Sequence, residues 1–304
     1  MSATFLTAVI VTYNPDLHVL NRLVDKCITQ ADAVVIVDNG NGTGIKPWLE
    51  QKAQVKLVLL TMGENHGVAA AQNAGIAWAR MHGASYVLLF DQDSTPEENL
   101  AARLQSALIT LEKTNEKIAA VGPRYLDSRW NKEESFSPFS RFQHGRIAAC
   151  HPPTGSAYVS VDFLISSGSL ISMKALDAVG NMDEKLFIDY VDVEWCARAK
   201  AKGWNLYGVW DVVMEHDLGD DRAQALGRSI AIRNPNRHYY ALRNAAWLCV
   251  HSPLPCSWKL AIALQGMGKF IAYSVFMPKP IEHVRFMSKG LWHGLTRQMG
   301  RLPD

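Results

Sequence analysis

Asp91 and Asp93 close the run Tyr86-Val-Leu-Leu-Phe-Asp-Gln-Asp-Ser94, a hydrophobic strand that ends in two carboxylates one residue apart. Side chains at i and i+2 of an extended segment point to the same side, so both carboxylates can address one hard divalent cation beyond the strand end. That arrangement suits a nucleotide diphosphate. The plainer alternative is a solvated loop in which Asp93 or Ser94 caps a helix starting near Pro96. His216, which follows the apolar run Val212-Val-Met-Glu, is usually the kind of histidine that serves structure. With Asp91 and Asp93 it could instead complete an oxygen and imidazole site for Mn²⁺ or Mg²⁺.

A second carboxylate cluster lies in Leu186-Phe-Ile-Asp-Tyr-Val-Asp-Val-Glu-Trp-Cys-Ala-Arg198. Asp189 and Asp192 share a face at the start of an otherwise apolar helix, and Glu194 stands four residues before Arg198, the spacing of an intrahelical ion pair. Asp189 fits an N-cap. Asp192 is the carboxylate that local structure explains least, and such a group in a cleft can act as general base toward a hydroxyl.

The elements that must position these groups read as alternating short β-branched runs and helical patterns. Strands are expected at Ala8–Thr12, Ala33–Asp38, Val55–Leu60 and Tyr86–Phe90, with helices at Leu17–Thr29, Val68–Met81 and Glu97–Lys113. This alternation implies an α/β fold with a largely parallel, Rossmann-like sheet and helices on both faces. Ligands of such sheets bind beyond the carboxyl ends of the strands. Polar residues stand at those ends: Thr12, Tyr13 and Asn14; Asp38 and Asn39; Asp91, Gln92 and Asp93. Asn65-His-Gly67 opens an alanine-rich helix whose small residues permit close approach of backbone to sheet or ligand. Between Ser128 and Pro153 an irregular stretch carries Trp130, Phe136, Phe139 and Phe142, which suits a long functional loop better than a spacer. Further strands are expected at Val159–Val161 and Gly168–Ile171, and a helix at Val191–Lys202. Arg233, Arg237, His238, Tyr239, Tyr240, Arg243 and Asn244 form a basic and aromatic cluster fit for a pyrophosphate or sugar, or else a solvated helix face.

The chain has 304 residues, 48% hydrophobic and 20% charged, with a net charge of +2 that excludes nothing by itself; no nucleic-acid partner is expected. This length accommodates one extended α/β domain. Residues 1–250 are expected to form it, with 1–125 mainly donor-binding and 126–250 mainly acceptor-binding and catalytic; 251–304 read as a helical extension. Five cysteines without a CxxC pair or a secretory leader favour a reducing compartment, so a cytoplasmic location is expected.

These residues, in this order, resemble a family 2 inverting glycosyltransferase of the GT-A nucleotide-diphospho-sugar fold, over roughly Thr7 to Asn244. The likeness is nearest to bacterial rhamnosyltransferases, through Val37-Asp-Asn39, Phe90-Asp-Gln-Asp-Ser94 and Phe187-Ile-Asp-Tyr-Val-Asp-Val-Glu-Trp195. The resemblance implies transfer of L-rhamnose from dTDP-rhamnose to a hydroxyl of a cell-surface polysaccharide, such as O-antigen, or of a lipid-linked glycan precursor. Another sugar of the same family, or a non-catalytic sugar-nucleotide-binding module, is the alternative. It further implies that Thr12, Tyr13 and Asp38 hold the nucleoside, that Asp91 and Asp93 hold ribose and metal-bound diphosphate, that Asp192 is the base, and that His216 contacts the metal. Asn14, Asn39, Gly67, Gln92 and Arg243 are further candidates for donor contact. Many relatives have Glu-Asp where this chain has Val191-Asp192, which keeps Asp189 as an alternative base. A nicotinamide-dependent oxidoreductase would need GxGxxG after the first strand, where Thr12-Tyr-Asn-Pro15 stands. A nucleotidyltransferase would need a glycine-rich basic loop there.

In the tail, Arg285, Lys289, His293, Arg297 and Arg301 recur every fourth residue among apolar side chains. Such a stripe drifts by about 40° per step on an α-helix, and Gly290 and Gly294 weaken helix propensity. The tail reads either as a solvated terminal helix packed on the domain or, the reading favoured, as resting with the apolar stretch Leu260–Met277, too interrupted to span a bilayer, peripherally on an anionic membrane leaflet.

Overall fold

A computed structural model describes residues 4–302 except 43, 53–54, 115–116, 127–135, 138, 217–221, 226–227 and 232–233, and gives backbone alone at 136–137, 216, 222–225, 228–231 and 276. In chain order the elements are β1 (Leu6–Thr12), α1 (Leu17–Gln30), β2 (Ala33–Asp38), α2 (Ile45–Lys52), β3 (Leu57–Thr61), α3 (Val68–Met81), β4 (Tyr86–Asp91), β5 (Ser94–Pro96), α4 (Leu100–Glu112) and β6 (Ile118–Leu126). There follow β7 (Phe136–Ser137), β8 (Phe139–Gln143), β9 (Arg146–Cys150), β10 (Tyr158–Val161), β11 (Leu170–Ser172), α5 (Met173–Val179), α6 (Val191–Ala201) and β12 (Asn205–His216). The chain continues through β13 (Arg222–Ala225), β14 (Arg228–Ala231), α7 (Pro235–His251), α8 (Cys256–Phe276) and α9 (Pro280–Leu295).

The main sheet runs β10-β12-β6-β11-β4-β1-β2-β3. Its β-branched strands are buried on both faces because successive side chains alternate between two cores. Val9, Val35, Val87 and Leu89 face α3 and α6, while Ala8, Ile10, Ile36 and Leu88 face α1 and α4. Gly75 lets α3 lie against β1, where an added Cβ would stand 2.3 Å from Val9 Cγ1.

The parallel arrangement expected from the sequence holds for β3-β2-β1-β4 and for the pair β6 and β12. Short β11 lies antiparallel between β4 and β6, so the sheet is mixed. Without a crossover helix before it, the segment after Ser166 can only turn back into the gap. The helix expected from Glu97 begins at Leu100, because Ser94–Pro96 forms β5 against the end of β12. Ser94 is therefore a strand residue, and the N-cap position of α4 is Asn99. Strand β3 starts at Leu57 and leaves Val55 fully exposed.

Helix α7 extends the basic and aromatic cluster into a long brace, with Asn234 capping its start and Pro235 in its first turn. Helix α9 packs along it very closely: a Cβ on Gly290 would stand 2.4 Å from Tyr239 O, and one on Gly294 2.2 Å from Arg243 O. Those glycines are thus contact points between helices rather than weak places in one. Among the described residues, no helix is long and apolar enough to cross a membrane.

Candidate active site

The parallel register sets the candidate residues abreast. Thr12 pairs with Asp38 between β1 and β2, and Val11 with Asp91 between β1 and β4, so three neighbouring strands deliver their polar ends to one edge. The antiparallel pairing of β12 with β5 sets the His216 backbone opposite Ser94, next to Asp93. The His216 side chain lies outside the described residues, as do Trp130 and Arg233.

At the β1 and β2 ends, Asp38 is buried and its Oδ2 has no hydrogen-bond partner among the described residues. Burial pushes its carboxyl above the usual range, opposed by the backbone N–H groups of Gly42 and Gly40. The Tyr13 ring is half exposed and borders Gly40, whose added Cβ would lie 3.8 Å from Tyr13 Cδ2. A flat exposed ring beside a buried, under-satisfied acceptor can stack a heterocycle and accept from its N–H. Asn14 is exposed at positive φ, beyond this ring.

Three donor candidates are occupied within the fold. Thr12 is buried and its hydroxyl donates to Val37 O at 3.3 Å. Asn39 donates to Asn65 Oδ1 and accepts from the His66 N–H, tying the end of β2 to the turn before α3. Gln92 Oε1 accepts from the Tyr13 N–H at 2.7 Å, linking the ends of β4 and β1. Gly67, at φ 90, answers to close backbone approach: a Cβ there would stand 2.5 Å from Phe187 O, and the neighbouring Val68 N–H donates to that oxygen.

Asp192 lies in the first turn of α6, partly buried, with its Oδ1 accepting from the Val193 N–H. Desolvation raises its carboxyl to about 6, the Val193 N–H pulls downward, and Asp91 and then Asp189 push it up. Asp91 and Asp192 thus sense each other across the sheet edge. Both also raise the buried Tyr125 phenol, after desolvation as the main cause. Tyr125 was not legible as a site residue; its OH donates to Ser167 O at 2.7 Å. Ser167 Oγ in turn accepts from the Asp91 N–H and bonds Ser94 Oγ at 2.5 Å. Only long-range pairing creates that support, so no local pattern announces it.

Asp189 is held by a bidentate pair with Arg237, at 2.7 and 2.9 Å. It is not an N-cap, since Tyr190 takes that position at left-handed φ. Glu194 and Arg198 form the expected i,i+4 pair. Arg243 departs from its expected role as a donor contact. It is fully buried, and its guanidinium donates to Leu186 O, Lys185 O, Gly300 O and Asn244 Oδ1. Beside it, Asn244 Nδ2 donates to Leu186 O, Ile188 O and Asp189 O at 2.8–2.9 Å. The cluster on α7 therefore shapes the segment that leads to Asp192.

Among the described residues no three His, Cys, Asp or Glu side chains gather into a ready cation cage. Asp91 and Asp93 supply hard oxygen donors at the strand end, a set that fits a divalent ion whose remaining ligands come from a diphosphate and water.

The family model "Glycosyl transferase family 2" matches residues 7–179. The chain is 36% identical over 248 residues to the dTDP-rhamnosyl transferase RfbF of Shigella flexneri, covering 82% of this chain and 81% of that one. Among solved structures, GalNAc-T7 with UDP, GalNAc and Mn²⁺ superposes at TM-score 0.62 and 12% identity, over 97% of this chain and 56% of the other. S. aureus TarS 1–349 in complex with UDP-GlcNAc superposes at 0.56 and 13%, over 96% and 82%. Against longer TarS the match spans 44% of that chain. At such identities the two structures speak for the shared fold.

Proposed function

Since the chain belongs to glycosyl transferase family 2, and is a glycosyltransferase on that ground, we propose that it moves L-rhamnose from dTDP-rhamnose to a glycan hydroxyl with inversion at the anomeric carbon. The observation that carries the mechanism is Asp192: a partly buried carboxylate at a helix start, beside Asp91 and held near pH 6, is tuned for general-base work close to neutrality. The donor assignment draws on the likeness to RfbF, named as a dTDP-rhamnosyl transferase. A binding module without chemistry would have no use for a desolvated carboxylate at this place.

In this reading Tyr13 stacks the pyrimidine and Asp38 Oδ2 accepts from its ring N–H. Asp91 and Asp93 hold Mg²⁺ or Mn²⁺, with His216 as a further candidate ligand. A bound divalent ion supplies electrostatic stabilisation of the departing diphosphate. Asp192 takes the proton of the acceptor hydroxyl as its oxygen forms the new bond to C1, while the C1–O bond to the diphosphate breaks on the opposite side. Asp189, neutralised by Arg237, serves as a wall of the site rather than the base. The acceptor is a cell-surface polysaccharide or lipid-linked glycan precursor, reached from the cytoplasmic side in peripheral contact with the membrane.

The test is transfer from a panel of dTDP- and UDP-sugars to a rhamnan-type or lipid-linked acceptor with Mg²⁺ or Mn²⁺, read by mass spectrometry. A product heavier by one deoxyhexosyl residue, about 146 Da, only from dTDP-rhamnose supports the proposal; transfer from UDP-sugars alone overturns the donor.

A further inference from the structure

The C-terminal helices leave an apolar surface that the catalytic fold does not use. Of the fourteen large hydrophobic side chains exposed among the described residues, nine fall between Val250 and Leu295. Five of them, Leu260, Leu264, Met267, Ile271 and Val275, are spaced 4, 3, 4 and 4 along α8 and so form one outward stripe. Beside the stripe lies a groove of about 370 Å³ between α7, α8 and α9, lined by apolar side chains alone, including Leu242, Ile262, Phe270 and Leu291. Its rim residues Val250, Met267 and Leu295 are each at least half exposed, so the groove opens beside the stripe, with Met267 belonging to both. On α9, Ile281 and Trp292 share an outward face with Arg285 through i, i+4 and i+11 spacing.

Charge decides what covers this surface. Between residues 252 and 302 the sequence has seven lysines and arginines against one acid, Glu282. A second copy laid on the same patch would bring two such basic segments together. An anionic bilayer meets both demands: headgroups pair with basic side chains of this segment such as Arg285, and the apolar stripe and groove enter the acyl boundary. We propose that the outer face of α8 and the adjoining groove are a membrane-docking surface for anionic phospholipid, with the groove taking lipid hydrocarbon. This rests on the reading of a lipid-side acceptor and narrows the contact expected of the tail and the Leu260–Met277 stretch to the outer face of α8. Because α7 both lines the groove and grips the segment before Asp192, docking fixes the direction in which the site faces the bilayer.

The test uses the full chain and its Leu264→Glu/Ile271→Glu variant, with Ile109→Glu on distant α4 as control. Co-sedimentation is measured with vesicles of phosphatidylcholine alone or with 40% phosphatidylglycerol, an amount on the order of a strongly anionic leaflet. The expected result is binding to the anionic vesicles at low salt, weakened by about 0.5 M NaCl and reduced about tenfold or more in the double variant, while Ile109→Glu binds normally. Transfer to a soluble acceptor should be unchanged in both variants. Equal binding by the double variant, no binding by the native chain, or a native dimer that the double variant converts to monomer without lipid would each overturn the proposal. If docking holds but a lipid-linked acceptor is used no better than a soluble one on vesicles, the acceptor reading falls and the docking surface stands.

Discussion

Asp192 is subject to opposing influences: partial burial and the nearby Asp91 favour its neutral form, while the Val193 N–H favours its charge. Its folded pKa, about 6, lies above the value near 3.9 of an unfolded aspartate. The charged form therefore costs stability above pH 6, and that cost disappears as pH falls through 6 toward 4. Asp192→Asn should unfold later than the native protein at pH 7, by up to about 3 kcal/mol, with the difference vanishing near pH 4. The same variant should lose about 10²-fold or more in kcat with donor affinity nearly intact. In the native enzyme, kcat/KM should fall on the acid side with an apparent pKa near 6. Chemical denaturation at two pH values and a pH–rate profile check these outcomes; normal turnover in Asp192→Asn with collapse in Asp189→Asn would move the base. Asp93 occupies a turn after β4 where little packing depends on it, so Asp93→Ala should keep its unfolding midpoint. It should nevertheless lose the dependence of dTDP binding on Mg²⁺ or Mn²⁺, measured by calorimetry with and without metal.

At the scale of elements, the segment from Leu186 to Tyr190 leads into Asp192, the proposed base, and it is strained. Phe187 has φ 62 and ψ −61, and the Ile188 N–H donates back to Leu186 O at 2.7 Å, the rare form of γ-turn. Asp189 and Tyr190 also have positive φ. Each such residue costs on the order of 1–3 kcal/mol, and Asn244, Arg243 and Arg237 of α7 offset that cost by bonding the segment's carbonyls and carboxylate. Asn244→Ala should take the amide donor from Ile188 O and Asp189 O while Leu186 O keeps Arg243, lower stability by about 2 kcal/mol and reduce kcat at least about tenfold with little change in donor KM. Its acid limb should also move from that of the native enzyme, a change that simple destabilisation would not cause. None of this was legible locally: Arg243 looks like a ligand for phosphate until the loop some 57 residues before it closes around the guanidinium. The strands β1, β2 and β4 and the helix α3 were legible, because β-branched runs and a small-residue helix opened by Gly67 obey local periodicity. The placement of Asp91 and Asp38 at strand ends and of Asp192 at a helix start was legible too, since such ends are local features. Strand β11 is three residues long, and its antiparallel placement depends on a gap between β4 and β6 that sequence periodicity does not display.

For the molecule as a whole, the C-terminal helices pack into the body of the fold as well as carrying the proposed docking surface. Helix α9 reaches the α7 backbone through Gly290 and Gly294, and the tail beyond it closes on the segment before Asp192. The Gly300 N–H donates to Lys185 O, Gly300 O accepts from Arg243, the Leu302 N–H donates to Tyr240 OH, and Arg301 pairs with Glu64. A chain ending at Pro278 would therefore do more than release a membrane contact. It would uncover Met287's partners on α7 and α8, leave Arg243 without one of its acceptors and loosen the strained turn before Asp192. We expect it to unfold several degrees earlier and to lose turnover even with a soluble acceptor, at roughly 2–4 °C per kcal/mol removed for a chain of this size class. Gly294→Val should reproduce part of the effect by forcing α9 off α7, because its Cβ would meet Arg243 O at 2.2 Å; overpacking of this kind costs about 1–3 kcal/mol. Leu264→Glu/Ile271→Glu, altered only at exposed positions of α8, should keep both midpoint and soluble turnover. Thermal unfolding followed by circular dichroism, paired with donor turnover, separates the cases. Full activity and an unchanged midpoint in the shortened chain would show that α9 and the tail serve docking alone.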